Sequence, residues 1–235
     1  MSDRDSIEFD VLLDNRVQEE VWNLALNESA LEQCIYLFVE GESEEAAFEI
    51  ILEEGLGIKF DEYGVVIANY KGIGNLKNTI RLMSNTLSHS RPMIFTFDDD
   101  SKSLISGIGN VPSNVHLFKV PTKAVVTFSN GEKGGSFEES FEASDFIDAC
   151  FETTLLKMNP HVSKAEFANV FTSDKSFYPQ IVKFLKLKGL SKHAPKKIEI
   201  AISMATACVT EPETYVELAE LIKSIRLDNP VDVKI

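Results

Sequence analysis

Two short stretches of this 235-residue chain carry carboxylates where chemistry can use them. In YLFVEGESEE (36–45) an apolar run stops at Glu40, a glycine follows, and Glu42, Glu44 and Glu45 come directly after. In IFTFDDDS (94–101) a second apolar run ends in Asp98, Asp99 and Asp100. Carboxylates brought together repel one another, which is costly unless a cation lies between them or a proton is shared. Oxygen ligands with no His or Cys nearby select a hard ion, Mg2+ or Mn2+, over zinc. If the backbone stays extended past Phe97, Asp98 and Asp100 point to one side and Asp99 to the other. That makes Asp98 and Asp100 candidate ligands and Asp99 a solvated neighbour, the lesser alternative being a polar loop after the strand. Ser43 is a good helix N-cap, which places Glu44 and Glu45 in a first turn where the helix dipole favours negative charge. Glu40 precedes that cap and terminates the run, so capping does not explain it.

The elements that must position these residues follow from periodicity. CIYLFV (34–39), GVVIA (64–68) and PMIFTF (92–97) are nearly continuous apolar runs, the form of strands buried on both faces of a parallel sheet. Helical patterns over Ser43–Leu56 and Asn75–Leu87 separate them. This alternation predicts an α/β fold, a parallel sheet flanked by crossover helices. VHLFKV (115–120) predicts a fourth strand, and AVVTF (124–128) an edge strand or hairpin arm. In such sheets functional groups gather beyond the carboxyl ends of the strands, where Glu40 and Asp98 stand. From about Ser136 the composition is helical, with helices expected near 144–157, 164–171, 178–188, 196–208 and 214–226. The expected organisation is an acidic helical N-terminal extension (1–33), an α/β core (34–130) and a mostly helical C-terminal part (131–235).

VEGESEEAAFEIILEEG, ANYKGIGNLKNTIRLM and IFTFDDDS, in this order, resemble the three successive segments of a TOPRIM domain, and in particular the nuclease domain of the OLD (overcoming lysogenization defect) family. The shared features are a strand ending in V-E-G before acids, a G-x-G-N turn, and a D-x-D. GSFEESFEASDFIDAC (135–150) is similar to a further acidic segment of that family, with Glu138 in the ligand position. KKIEIAIS (196–203) is similar to its K-x-x-x-A helix start, with Lys197 or Lys196 facing the scissile phosphate. The resemblance implies a Rossmann-like TOPRIM fold. It also implies that Glu40 binds metal or acts as acid/base, that Asp98 and Asp100 bind metal, and that Glu44 and Glu138 complete a second metal position. It further implies a Mg2+- or Mn2+-dependent endonuclease, with DNA favoured over RNA as its substrate. The family usually fuses this domain to an ATPase, but no G-x-x-x-x-G-K-[ST] occurs here. A stand-alone effector of anti-phage defence is expected, working in an oligomeric complex with a separately encoded ATPase or sensor.

Charge is distributed unevenly. Residues 1–60 hold 16 acids against 3 bases, and the remainder 21 against 20. The net charge of −14 therefore says little about the later part of the chain, where KFLKLKGLSKHAPKK (183–197) carries six lysines and no acid. Such a run can meet phosphate, although a solvated face is its commoner meaning. Cys34, Cys150 and Cys208 read as reduced core residues, and the four scattered histidines suggest no zinc site. No membrane-spanning run or signal peptide is recognisable, so a cytoplasmic location is expected. Two other readings exist. A non-catalytic TOPRIM assembly or sensor subunit fits the same fold, whereas a glycosyltransferase D-x-D leaves VEGESEE and the lysines unexplained.

Overall fold

The computed structural model describes residues 34–86, 91–99, 105, 108–128, 131–159, 161–208 and 213–230, and the expected N-terminal helical extension lies outside them. The apolar runs form strands β1 (Ile35–Val39), β2 (Val65–Asn69), β3 (Met93–Phe97) and β4 (Val115–Lys119). All pair in parallel in the order β2-β1-β3-β4, so β1 and β3, which lead into Glu40 and Asp98, are direct neighbours. AVVTF supplies a hairpin arm: β5 (Val126–Thr127) pairs antiparallel with β6 (Lys133–Gly134), apart from the main sheet.

Every residue of β1 is buried, which is why its sequence does not alternate. Ile35, Leu37 and Val39 enter one core, shared with α1 (Glu42–Ile50) and much of the C-terminal region. Cys34, Tyr36 and Phe38 enter a second core with Leu76, Ile80 and Met83 of α3 (Leu76–Thr86). Between these helices a π-helical turn (Ile51–Gly55) prolongs α1, and the single-turn α2 (Phe60–Tyr63) leads into β2. Cys34 and Cys150 are buried and unbridged, and burial pushes the Cys150 thiol up, which keeps it protonated and unreactive. No helix among the described residues is long and apolar enough to cross a membrane.

The C-terminal region comprises α4 (Ala143–Glu152), α5 (Thr154–Lys157), α6 (Lys164–Val170), α7 (Phe177–Leu187), α8 (Lys197–Cys208) and α9 (Val216–Asp228). The helix expected over 144–157 is broken at Thr153, whose ψ of 143° is extended and whose Oγ1 donates to the Cys150 carbonyl at 2.6 Å. Helix α8 packs along α1, and the buried Ala47, Ala201 and Ala205 keep that seam narrow. A 3-10 turn (Phe137–Ser140) is wedged beside it by aromatic packing. Phe137 meets Phe48 edge-on at 5.9 Å, Phe48 meets Tyr215 at 5.2 Å, and the Tyr215 hydroxyl hydrogen-bonds Ser140 Oγ.

The chain entering that turn has no spare room. A Cβ on Gly135 would lie 2.5 Å from Thr122 Cγ2, 2.9 Å from Thr122 Cβ and 3.0 Å from the Ala124 carbonyl oxygen. The Gly135 carbonyl also accepts from the Asp99 N–H at 3.0 Å. Gly135→Ala is therefore expected to destabilise the protein by about 1–3 kcal/mol, the cost of overpacking a tight contact. Urea or thermal unfolding measures this, and stability equal to wild type would show that the segment adjusts freely.

Candidate metal centre

Glu40 leaves β1 at the carboxyl edge of the sheet, and its position is fixed by the turn that follows β2. The Gly72 N–H donates to the Glu40 carbonyl at 2.8 Å, and the Ile73 N–H donates to Glu40 Oε1 at 3.3 Å. This turn needs Gly72, whose φ is +101°, and it is locked by Asn75 Nδ2 donating to the carbonyls of Tyr70 and Lys71 at 3.1 and 3.0 Å. The KGIGN stretch thus acts as a bracket for Glu40. Helix α1 begins earlier than expected. Its N-cap is Gly41 rather than Ser43, and Glu44 reaches back to accept the Gly41 N–H at 2.6 Å. This contact draws Glu44 inward to 5% exposure, while Glu42 stays outside near Lys71 at 3.6 Å. Glu45 is held by more than the helix dipole, since it accepts a hydrogen bond from Asn69 Nδ2 at the end of β2.

Asp98 is buried, and its Oδ2 accepts the Phe137 N–H at 3.2 Å. Oxygens of Glu40, Glu44 and Asp98 all lie within 4.8 Å of one another. Asp100 lies outside the described residues. Asp99 is not the solvated neighbour expected: its side chain is 13% exposed and 3.7 Å from Lys119 Nζ, supplied by the neighbouring strand β4. Glu138 is buried at the edge of the same cavity, where Ser136 Oγ donates to its Oε2 at 2.8 Å and Lys197 Nζ lies 2.9 Å from its Oε1. Glu139 instead turns into the structure and accepts the Ser136 N–H at 2.8 Å and the Phe177 N–H at 2.7 Å. Lys197 opens α8 with its ammonium 5.2 Å above the Tyr178 ring, whereas Lys196 is exposed and does not line the cavity. The cavity measures about 470 Å³. A larger one of about 730 Å³, between the β5–β6 hairpin and helices α6 and α7, contains no carboxylate.

Residues 35–100 match the family model for the overcoming lysogenization defect protein-like TOPRIM domain. That segment is similar to an OLD-like TOPRIM domain. Among solved structures the chain is similar to two of the C-terminal region of the Xanthomonas campestris pv. campestris OLD protein. The one phased with platinum is 13% identical, with 83% of this chain and 95% of that chain covered and a TM-score of 0.49. The one phased with mercury is 17% identical, with 82% and 96% covered and a TM-score of 0.47. No curated protein matches the sequence. TOPRIM is a fold of nucleic-acid enzymes that hold divalent ions through acidic side chains.

The TOPRIM carboxylates of this chain fit such an ion. Glu44 Oε1 is buried and accepts no hydrogen bond, a costly state for a carboxylate oxygen. Burial, reinforced by the charges of Glu40 and Glu138, pushes the Glu44 pKa up to about 8 against the opposing pull of the Gly41 N–H and Lys197. Burial works against the Lys197 ammonium too, but Glu138, Asp98 and Glu139 outweigh it and hold its pKa above the usual lysine value. The cavity is a cluster of negative charge lined by two cations, Lys197 beside Glu138 and Lys71 beside Glu42. Sequence reasoning did not find Ser136, Phe137 and Tyr178, which hold Glu138, Asp98 and Lys197 through contacts between distant segments. The one available signal was the closeness of Ser136 and Phe137 to Glu138.

The folded state prefers Glu44 protonated, so this group costs nothing below pH 4.5, and its cost grows as pH rises through the window from 4.5 to about 8. A divalent ion reverses that preference. Mg2+ is therefore expected to raise the melting temperature more at pH 8 than near pH 4.5, with a stabilisation at pH 8 of about 2.7 kcal/mol at a hundredfold excess over Kd. Glu44→Gln should stabilise the metal-free protein at pH 8 and shrink the Mg2+ response. Equal Mg2+ shifts in both proteins would remove Glu44 from the ligand set.

Proposed function

We propose that this protein is a Mg2+- or Mn2+-dependent endonuclease that hydrolyses phosphodiester bonds in DNA, serving as the effector of an anti-phage system with a separately encoded ATPase or sensor. The observation that carries the reading is the convergence of Glu40, Glu44 and Asp98 around an unsatisfied buried oxygen, with the Lys197 ammonium at the edge of the same cavity. A divalent ion held by these three residues, with Asp100 joining them, would supply charge neutralisation at a phosphoryl oxygen and acidify water. Glu40, the least buried of the three residues, would take up or return the proton.

Lys197 supplies positive charge where negative charge gathers on the phosphoryl oxygens in the transition state. Glu138 keeps that ammonium protonated and aimed. Its role beside Glu44 at a second ion position requires Lys197 to move from Glu138 to the phosphate when substrate binds. Such an exchange keeps the charge of the cavity balanced at each stage.

Incubating the purified protein with plasmid DNA and Mg2+ or Mn2+, alone and with the product of the neighbouring gene, tests the reading. Cleavage is expected to vanish in Asp98→Ala and Glu40→Ala and to fall about 10²–10³-fold in Lys197→Ala, the range for removing one transition-state donor. If the alanine variants retain biological activity and no condition yields cleavage, the chain is instead a non-catalytic TOPRIM assembly subunit.

A further inference from the structure

Of the lysine-rich stretch, Lys197 lines the carboxylate cavity. Lys186 near the end of α7, Lys192 in the 3-10 turn Ser191–His193, and Lys196 just before α8 are exposed, and none forms an ion pair among the described residues. Lysines elsewhere commonly do, as in Lys157–Glu152, Lys164–Asp148 and Lys223–Glu220. Within the same stretch Lys188 is 2.7 Å from Glu166. Lys186 is favoured where it stands, because the carboxyl end of a helix attracts cations.

That account fails for Lys196. Lys196 and Lys197 are adjacent at the amino end of α8, where the dipole repels positive charge. The charge of Lys197 is offset by buried Glu138. Glu199 Oε2 accepts the Lys196 backbone N–H at 3.2 Å, but the Lys196 ammonium has no carboxylate partner among the described residues. An anion from outside the chain would balance it.

The geometry connects these lysines to the cavity. The Tyr178 hydroxyl donates to the Pro195 carbonyl at 3.2 Å and its ring faces Lys197, which fixes the first turn of α7 to the start of α8. Lys196 adjoins Lys197, Lys192 precedes it by four residues, and Lys186 lies on α7 about 12 Å from Tyr178 by helical rise. Lys183 of the same helix lines the apolar cavity beside the β5–β6 hairpin. A single phosphate group cannot span such a row. A polymer can, and duplex DNA offers a negative charge about every 1.7 Å along its axis.

We propose that Lys186, Lys192 and Lys196 form a phosphate-contact track that guides the backbone of a DNA duplex to Lys197. The destination of the track rests on the nuclease reading, but binding along it does not depend on cleavage. Fluorescence polarisation with a labelled duplex in metal-free buffer measures it at several salt concentrations. Changing the three lysines to alanine should weaken binding about tenfold or more and reduce the salt slope by about 2.7, at roughly 0.9 per lost phosphate contact. Changing all three to arginine should restore both. A control triple, Lys157→Ala, Lys164→Ala and Lys223→Ala, should change neither. An unchanged slope in the first variant, or wild-type protein that binds no duplex, overturns the track. If the slope falls as expected while no metal supports cleavage, the track stands and the nuclease reading falls.

Discussion

Holding three carboxylates within 4.8 Å of one another in a half-closed cavity is the constraint to which the rest of this structure responds. Like charges at that spacing repel strongly wherever water is scarce. The chain answers with backbone dipoles, giving Glu40, Glu44 and Asp98 each a peptide N–H from Ile73, Gly41 and Phe137 respectively. Peptide dipoles suit this purpose because they soften the repulsion without neutralising it. The remaining negative potential is what makes the cavity a place for a cation. A full set of lysine partners would stabilise the apo protein better and leave nothing for an ion to do.

Those three amides come from three different places, and this ties the site to the whole fold. One belongs to the turn after β2, one to the start of α1 and one to the segment after the β5–β6 hairpin. The family match ends at residue 100, yet Phe137, Glu138 and Lys197 all line the same cavity. They are kept there by the α1–α8 seam and by the aromatic cluster of Phe48, Phe137, Phe141 and Tyr215. The C-terminal helices therefore shape the electrostatics of the centre as directly as the sheet does.

Burial on both faces made the sheet legible in the sequence, because strands in such a sheet cannot alternate polar and apolar residues. Strand order put Glu40 beside Asp98, which the β1 and β3 runs implied once they were neighbours. Local competition was harder to read. Ser43 and Gly41 both make acceptable N-caps, and what decides between them is the reach of the Glu44 side chain to the Gly41 N–H. Alternation made Asp99 a solvated neighbour of Asp98, and it could not reveal that β4 brings Lys119 to Asp99. Glu138 and Glu139 are adjacent and chemically alike. Only the packing of α7 against the 3-10 turn, through the Phe177 N–H, commits Glu139 to the interior and leaves Glu138 to the cavity.

The choice of lysine at position 197 follows from the same balance. An arginine there could form a flat, two-pronged pair with Glu138 and remain fixed to it. Lysine carries a compact charge on a flexible stem, and here that charge is shared among Glu138, the Tyr178 ring and the more distant Asp98. Its side chain is about half exposed while Glu138 is buried, so the pair has one anchored member and one able to turn outward. The anchored carboxylate tolerates the loss of its lysine only if another cation or proton takes over the charge. Movement of Lys197 and neutralisation of the carboxylates are thus linked by electrostatics, whichever of the two comes first.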